Sequence, residues 1–250
     1  MNNGLYPNFN PVGAILNLKK IGETTLTSGT GTWYPPAGTK FIYVVMCGGG
    51  GGGSSGASGN GGGGGAATWE KLLPNIYGST GVSYTVGGQG GSGGHGGTTI
   101  FDMLIAPGGR TGNFYNSASV VGGHGGGTNT DAQLTDTTLY PSITIANGFT
   151  PGGAGGSYWT GSAYSATDGR MAGLPYRNFA SANVFTQYGG GTGAGNSGGG
   201  GNSLLGKGGN GTSTGQAGNG TGYGAGGGGS GSVGQGGTGT PGIIMLWAYI

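Results

Sequence analysis

Few residues in this chain could act as acid, base, nucleophile or metal ligand. The carboxylates are Glu23, Glu70, Asp102, Asp131, Asp136 and Asp168. A spike that cleaves glycans needs two carboxylates at a defined separation. Asp131 and Asp136 are candidates, but they lie in Thr- and Asn-rich sequence where acids usually serve turns. His95 and His124 share the context Gly-Gly-His-Gly-Gly. Two such histidines could meet across a subunit axis on a metal, yet no acid is near in sequence to orient them. Hydrogen bonding between glycine strands is the expected role. Cys47 is the single cysteine, so no internal disulfide forms. Within Phe41–Cys47 it reads as a small buried apolar residue. Gly206-Lys-Gly-Gly lacks the hydroxyl residue and the helix of a phosphate loop. The expectation is a protein that is not an enzyme, with no metal and no cofactor.

Recognition chemistry is better represented. Residues 157–188 contain Tyr158, Trp159, Tyr164, Arg170, Tyr176, Arg177, Asn178 and Phe179. Tyrosine and tryptophan offer large contact areas at low entropic cost. Rings stack on the apolar faces of sugars, while Arg170, Arg177 and Asn178 would supply directed hydrogen bonds. These eight residues are the candidate receptor-binding set. The competing reading is a small satellite core that roofs a scaffold poor in side chains. A second variable, largely non-glycine insertion lies at about 110–150.

What must position these residues is mostly glycine, at 73 of 250 positions. The glycines fall in blocks at 48–53, 61–65, 87–97, 189–201 and 206–239. Each costs roughly 0.5–1 kcal/mol relative to alanine when ordered. A glycine and proline share of about a third usually signals low complexity. Aromatics at 10% argue against disorder. Collagen needs glycine at every third residue, whereas Gly218, Gly220, Gly222 and Gly224 recur every second. The blocks are therefore expected to be ordered, either as packed polyproline-II-like glycine helices or as tight irregular loops. In the first case their N–H and C=O groups must bond to neighbouring segments.

Strands are expected at 25–27, 31–34, 40–47, 67–72, 82–86, 98–105, 117–121, 139–146, 183–188 and 242–250, with β-branched and aromatic enrichment. The run Phe41-Ile-Tyr-Val-Val shows little alternation, so both its faces should be covered. No segment has sustained helical periodicity. The class is all-β, a sandwich of short strands with ordered glycine-rich connections. Residues 1–25 read as an attachment arm with Leu5, Tyr6, Phe9, Ile15 and Leu16 as anchors. Residues 26–250 read as one glycine-rich β domain with insertions at about 110–150 and 157–188.

Charged residues are only 6% of the chain, and eight Lys and Arg against six Asp and Glu are scattered. No basic cluster suits a nucleic acid. Met1–Pro7 has neither the basic start nor the apolar stretch of a secretory signal. No apolar run is long enough to span a bilayer. Cytoplasmic synthesis followed by display on a particle is the expectation.

Taken in order, several motifs resemble the glycine-rich domain of bacteriophage tail fibre and receptor-binding proteins. Gly29-Thr-Gly-Thr-Trp-Tyr-Pro-Pro-Ala-Gly38 leads to an apolar strand and the run Gly48–Gly53. Tyr84-Thr-Val-Gly-Gly-Gln-Gly90, Gly96-Gly-Thr-Thr-Ile-Phe101 and Gly239-Thr-Pro-Gly-Ile-Ile-Met-Leu-Trp247 follow. The likeness covers about 26–109 and 225–250. It is similar also to tip adhesins whose glycine motifs stack as polyglycine helices bearing variable loops. It implies a virion-attached tip subunit that joins other tail or virion proteins through the arm and binds a bacterial surface glycan or outer-membrane protein. A homo-trimer and a single copy are both compatible with it. Fibres of that kind carry a shaft or attachment domain before the module, whereas about 25 residues precede it here. The alternatives are a minor tail or capsid protein that connects other subunits, and an ice-binding surface. The irregular glycine spacing and the Tyr-rich insertions argue against the flatness ice binding needs.

Overall fold

The computed structural model describes residues 18–55, 62–115, 119–121, 149–150, 152–153, 155, 158–159, 191–194, 197–231 and 234–250. Among them there is no helix, and the strands form antiparallel sheets. The chain is all-β, as its composition implies.

One sheet has β1 (Lys20–Leu26), β14 (Ile243–Tyr249), β3 (Phe41–Cys47), β4 (Thr68–Pro74) and β10 (Phe149–Thr150), in that order. A second has β2 (Thr30–Trp33), β5 (Val82–Thr85), β6 (Thr99–Phe101) and β7 (Leu104–Ala106). Alternate residues of β3 and β14 enter the space between them: Ile42, Val44, Met46, Ile244 and Leu246. The second sheet contributes Trp33, Val82, Phe101, Leu104 and Ala106. The two indoles fasten the layers. Trp33 Nε1 donates to Thr24 Oγ1 at 3.1 Å, and Trp69 Nε1 donates to the Ile105 carbonyl at 2.7 Å. The outer face of β3 is covered too. Tyr43 packs on Trp247, and Cys47 sits with Ala66, Leu205 and Ile243.

Two boundaries differ from the sequence reading. Lys20–Thr25 are not arm. They pair with β14 from Lys20↔Tyr249 onward, because the last strand needs a second neighbour besides β3. The stretch 98–105 is not one strand. It turns back at Asp102, whose φ of 51° lies in the left-handed region that Asp tolerates. Strand expectations at 139–146 and 183–188 lie outside the described residues.

Asp102 also accepts a hydrogen bond from the Tyr77 hydroxyl at 2.5 Å. Burial first, then this bond and the carboxylate charge, push the Tyr77 hydroxyl up to about 12. Its folded pKa thus exceeds the unfolded value of about 10. The resulting stability is complete below pH 10 and is lost as pH rises through 12. Burial also raises Cys47 to about 11 and raises Tyr249, so Tyr77 carries one share of an alkaline loss. Melting curves between pH 9 and 12 should fall less steeply for Tyr77→Phe than for wild type. Parallel curves would show that Tyr77 contributes nothing.

The glycine blocks leave the sheets as extended segments with three residues per turn. Segment 48–54 shows the rule. Gly48 and Gly51 donate to Ala67 and Gly64, Gly49 and Gly52 to Gly97 and Gly94, and Gly50 and Gly53 to Thr240 and Gly237. Its carbonyls accept with the same period: from Gly109 and Gly112, from Gly90 and Gly93, and from Gly227 and Ser230. Each neighbour is met every third residue, so six neighbouring segments enclose this one. Segment 224–230 is enclosed in the same way, by 51–54, 63–66, 198–201, 209–212, 218 and 237–240. Segments 48–54 and 224–230 are thus packed glycine helices of the polyproline-II kind. Around most of their residues the space is occupied by bonded backbone, which leaves room for glycine and, at Ala225 and Ser230, for a small side chain.

Candidate functional site

The lattice has two unlike ends. At one, Gly48, Ala67, Pro107 and Gly242 adjoin β3, β4, β7 and β14. At the other, Ser54, Gly62, Gly112 and Ser230 stand away from the sheets, followed by the loops.

That loop end is tied by hydroxyl groups. Ser230 N–H donates to the Ser54 carbonyl at 3.0 Å, and Ser230 Oγ donates to the Gly215 carbonyl at 2.8 Å. Ser197 Oγ donates to the Thr212 carbonyl at 2.6 Å, and Thr212 Oγ1 donates to the Thr214 carbonyl at 2.6 Å. Thr111 Oγ1 donates to Gly52 at 2.9 Å. The sequence reading missed these residues. Their signal was modest: a Ser or Thr beside glycine, as in Gly229-Ser-Gly231 and Gly211-Thr-Ser213.

His95 fastens one loop root to another. Its Nδ1 accepts the Thr111 N–H at 3.0 Å, which places the ring proton on Nε2. Partial burial, then the nearby Arg110 charge, hold its pKa below the usual histidine value. Hydrogen bonding between glycine strands, the role expected for this histidine, is what the geometry shows. Its protonated form is disfavoured in the fold relative to the unfolded chain. Stability from this group is therefore present above about pH 6.5 and is lost as pH falls below it. Wild type should melt progressively lower from pH 7 to pH 5, and His95→Gln should show less of that dependence. Identical slopes would dismiss the contact as a contributor. His124 lies outside the described residues. Among the described residues, no three His, Cys, Asp or Glu side chains converge as a metal site would require.

Both insertions leave from this end. Gly112 N–H donates to the Gly52 carbonyl at 3.2 Å, directly before β8 (Asn113–Tyr115). β8 pairs with β9 (Ser119–Val121). Gly155 abuts Gly62, where an added Cβ would stand 1.9 Å from the Gly62 oxygen. β11 (Tyr158–Trp159) then pairs with β9, Tyr158↔Val120 and Trp159↔Ser119. The structure thus joins the two insertions in one three-stranded sheet, ordered β11–β9–β8. This link was not legible in the sequence, since the partners are some forty residues apart and the strands very short.

Of the candidate receptor-binding residues, Tyr158 and Trp159 are in β11. Tyr164, Arg170, Tyr176, Arg177, Asn178 and Phe179 lie outside the described residues, as do the arm residues Leu5, Tyr6, Phe9, Ile15 and Leu16. Asp131, Asp136 and Asp168 lie outside them as well.

A family model described as a glycine-rich domain matches residues 24–249. No curated protein matches the chain.

Proposed function

The chain belongs to the glycine-rich domain family, and from that premise we propose that it is a virion-attached receptor-binding protein of a tailed bacteriophage. It holds a bacterial surface glycan or outer-membrane protein without cleaving it. The observation that carries this reading is that both insertions depart from one end of a lattice built mostly of glycine, with Tyr158 and Trp159 paired to the other insertion. Recognition groups on a rigid framework lose little entropy on binding. Trp159 and Tyr164 stack on the receptor, and Arg170, Arg177 and Asn178 direct it through hydrogen bonds. The low charge of the chain suits adhesion across a range of ionic strengths.

Purified chain, added to host cells before phage, should block adsorption. The double substitution of Trp159 and Tyr164 by alanine should raise the concentration needed by about ten-fold or more, since aromatic anchors dominate binding energy. A chain that neither binds host cells nor competes would end this reading and leave the connector role, in which no host contact is made.

A further inference from the structure

One flank of the lattice carries donors that nothing answers. His95 lies between two bonded glycines. The Gly94 carbonyl accepts from Gly52 at 2.8 Å, and Gly96 N–H donates to the Gly109 carbonyl at 2.9 Å. Arg110 follows Gly109, and its own carbonyl accepts from Gly64 at 2.8 Å. The bond from the Thr111 N–H to His95 Nδ1, at 3.0 Å, sets the imidazole against the peptide group that joins Arg110 to Thr111. The Arg110 charge acts on the ring, so the guanidinium is close to it. Both side chains are exposed, while the backbones beneath them are fixed in the lattice. Groups held in this way lose little freedom when they bind.

Neither side chain meets a carboxylate among the described residues. Glu23 pairs with Lys20, Glu70 accepts from the Tyr43 hydroxyl, and Asp102 accepts from the Tyr77 hydroxyl. All three belong to the sheets and their turns. Around the imidazole, segments 49–53, 87–94 and 108–109 contribute only Gly, Gln and Ser. With Nδ1 occupied, the ring presents Nε2–H outward, beside a guanidinium that has donors and no acceptor. A neutral sugar hydroxyl needs an acceptor as well as a donor. A carboxylate or phosphate group only accepts, and the planar fork of arginine fits both. Arg110 stands three residues before β8, whose sheet includes Tyr158 and Trp159.

We propose that His95 Nε2–H and the Arg110 guanidinium form an anion subsite for the carboxylate or phosphate group of an acidic bacterial surface glycan. This rests on the reading of the chain as a receptor-binding protein and narrows it. The receptor is then a charged glycan, not a neutral one and not an outer-membrane protein.

The first test is a magnetic resonance titration of the full chain with isotope-labelled histidines. There are two histidines, so His95→Gln identifies the His95 signals. Sodium glucuronate, inorganic phosphate and glucose are added separately. The His95 Nε2 signal should move with an anion and not with glucose, and the anion that binds more tightly names the source, carboxylate or phosphate. Arg110→Gln should abolish the shift, and Arg110→Lys should retain part of it. The Arg110 side chain is exposed, so both variants should melt like wild type. A signal that neither anion moves, or that moves equally in Arg110→Gln, would overturn the proposal. The second test is competition for host cells. Arg110→Gln should need about ten-fold or more chain to block adsorption, as expected for loss of a charge-assisted hydrogen bond. Competition equal to wild type would overturn the subsite and leave the adhesin reading intact. Undiminished binding to cells stripped of surface glycan would also overturn it, in favour of a protein receptor. A wild-type chain that binds the anion but never binds cells would keep the subsite and remove only the adhesin role.

Discussion

Replacing Gly50 with alanine should prevent the chain from folding stably, although the change adds one methyl group. A Cβ at Gly50 would stand 1.9 Å from the Ala225 oxygen, 2.3 Å from its carbonyl carbon and 3.0 Å from its nitrogen. All three are backbone atoms, so no rotamer change relieves the clash. Ala225 itself is held by Thr240, whose Oγ1 accepts its N–H at 2.7 Å and whose N–H donates to its carbonyl at 2.9 Å. Gly50 is bonded on both sides, donating to Thr240 and accepting from Gly90. Moving either segment breaks bonds to several others. Overpacking a core usually costs about 1–3 kcal/mol, and with no flexible neighbour the cost here should be about 3 kcal/mol or more. The matched control is Gly88→Ala. Gly88 is exposed, and an added Cβ there meets nothing within 4 Å. Its melting temperature should stay near wild type. Equal effects of the two substitutions would mean that close approach is not why the lattice is glycine.

Phe101→Ala should be the most damaging truncation between the two sheets. Phe101 is fully buried on β6, and its ring lies 6.0 Å from that of Trp33, tilted by 56°. It pairs in register with Tyr84 on one side and Leu104 on the other. Loss of a buried phenyl group costs about 3–5 kcal/mol, because transfer energy and the remaining cavity add. Domains of ordinary stability have only about 5–15 kcal/mol in total. Chemical denaturation should show the midpoint falling sharply for Phe101→Ala and less for Phe101→Leu, which refills part of the space. A loss under about 1 kcal/mol would show that neighbours collapse into the gap. Because the lattice springs from these same strands, the truncation should also weaken the loop end. Lower competition for host cells at temperatures where the wild type is folded would reveal that.

Much of the sandwich was legible in local chemistry. Ile42, Val44 and Met46 on β3, and Ile244 and Leu246 on β14, belong to runs whose β-branched and aromatic content favours strands wherever they are placed. Order in the glycine blocks followed from accompanying aromatic content and from the need of every backbone group for a partner. The identity of those partners was not legible. Gly49 and Gly88 are chemically the same residue, yet an alanine methyl at the first would lie 2.0 Å from the Gly88 oxygen, while at the second it meets nothing. Glycine carries no side-chain pattern, so a run of it has no hydrophobic period from which to read a register or a neighbour. The period of three lies in the hydrogen bonds and appears only when segments far apart in sequence assemble. The same holds for Lys20–Thr25, which became strand because β14 required a neighbour, and for the turn at Asp102. Local residue chemistry determined that this protein is built of strands and ordered glycine. Tertiary contacts alone decided which backbones touch, and hence which glycines cannot change and which end carries the loops.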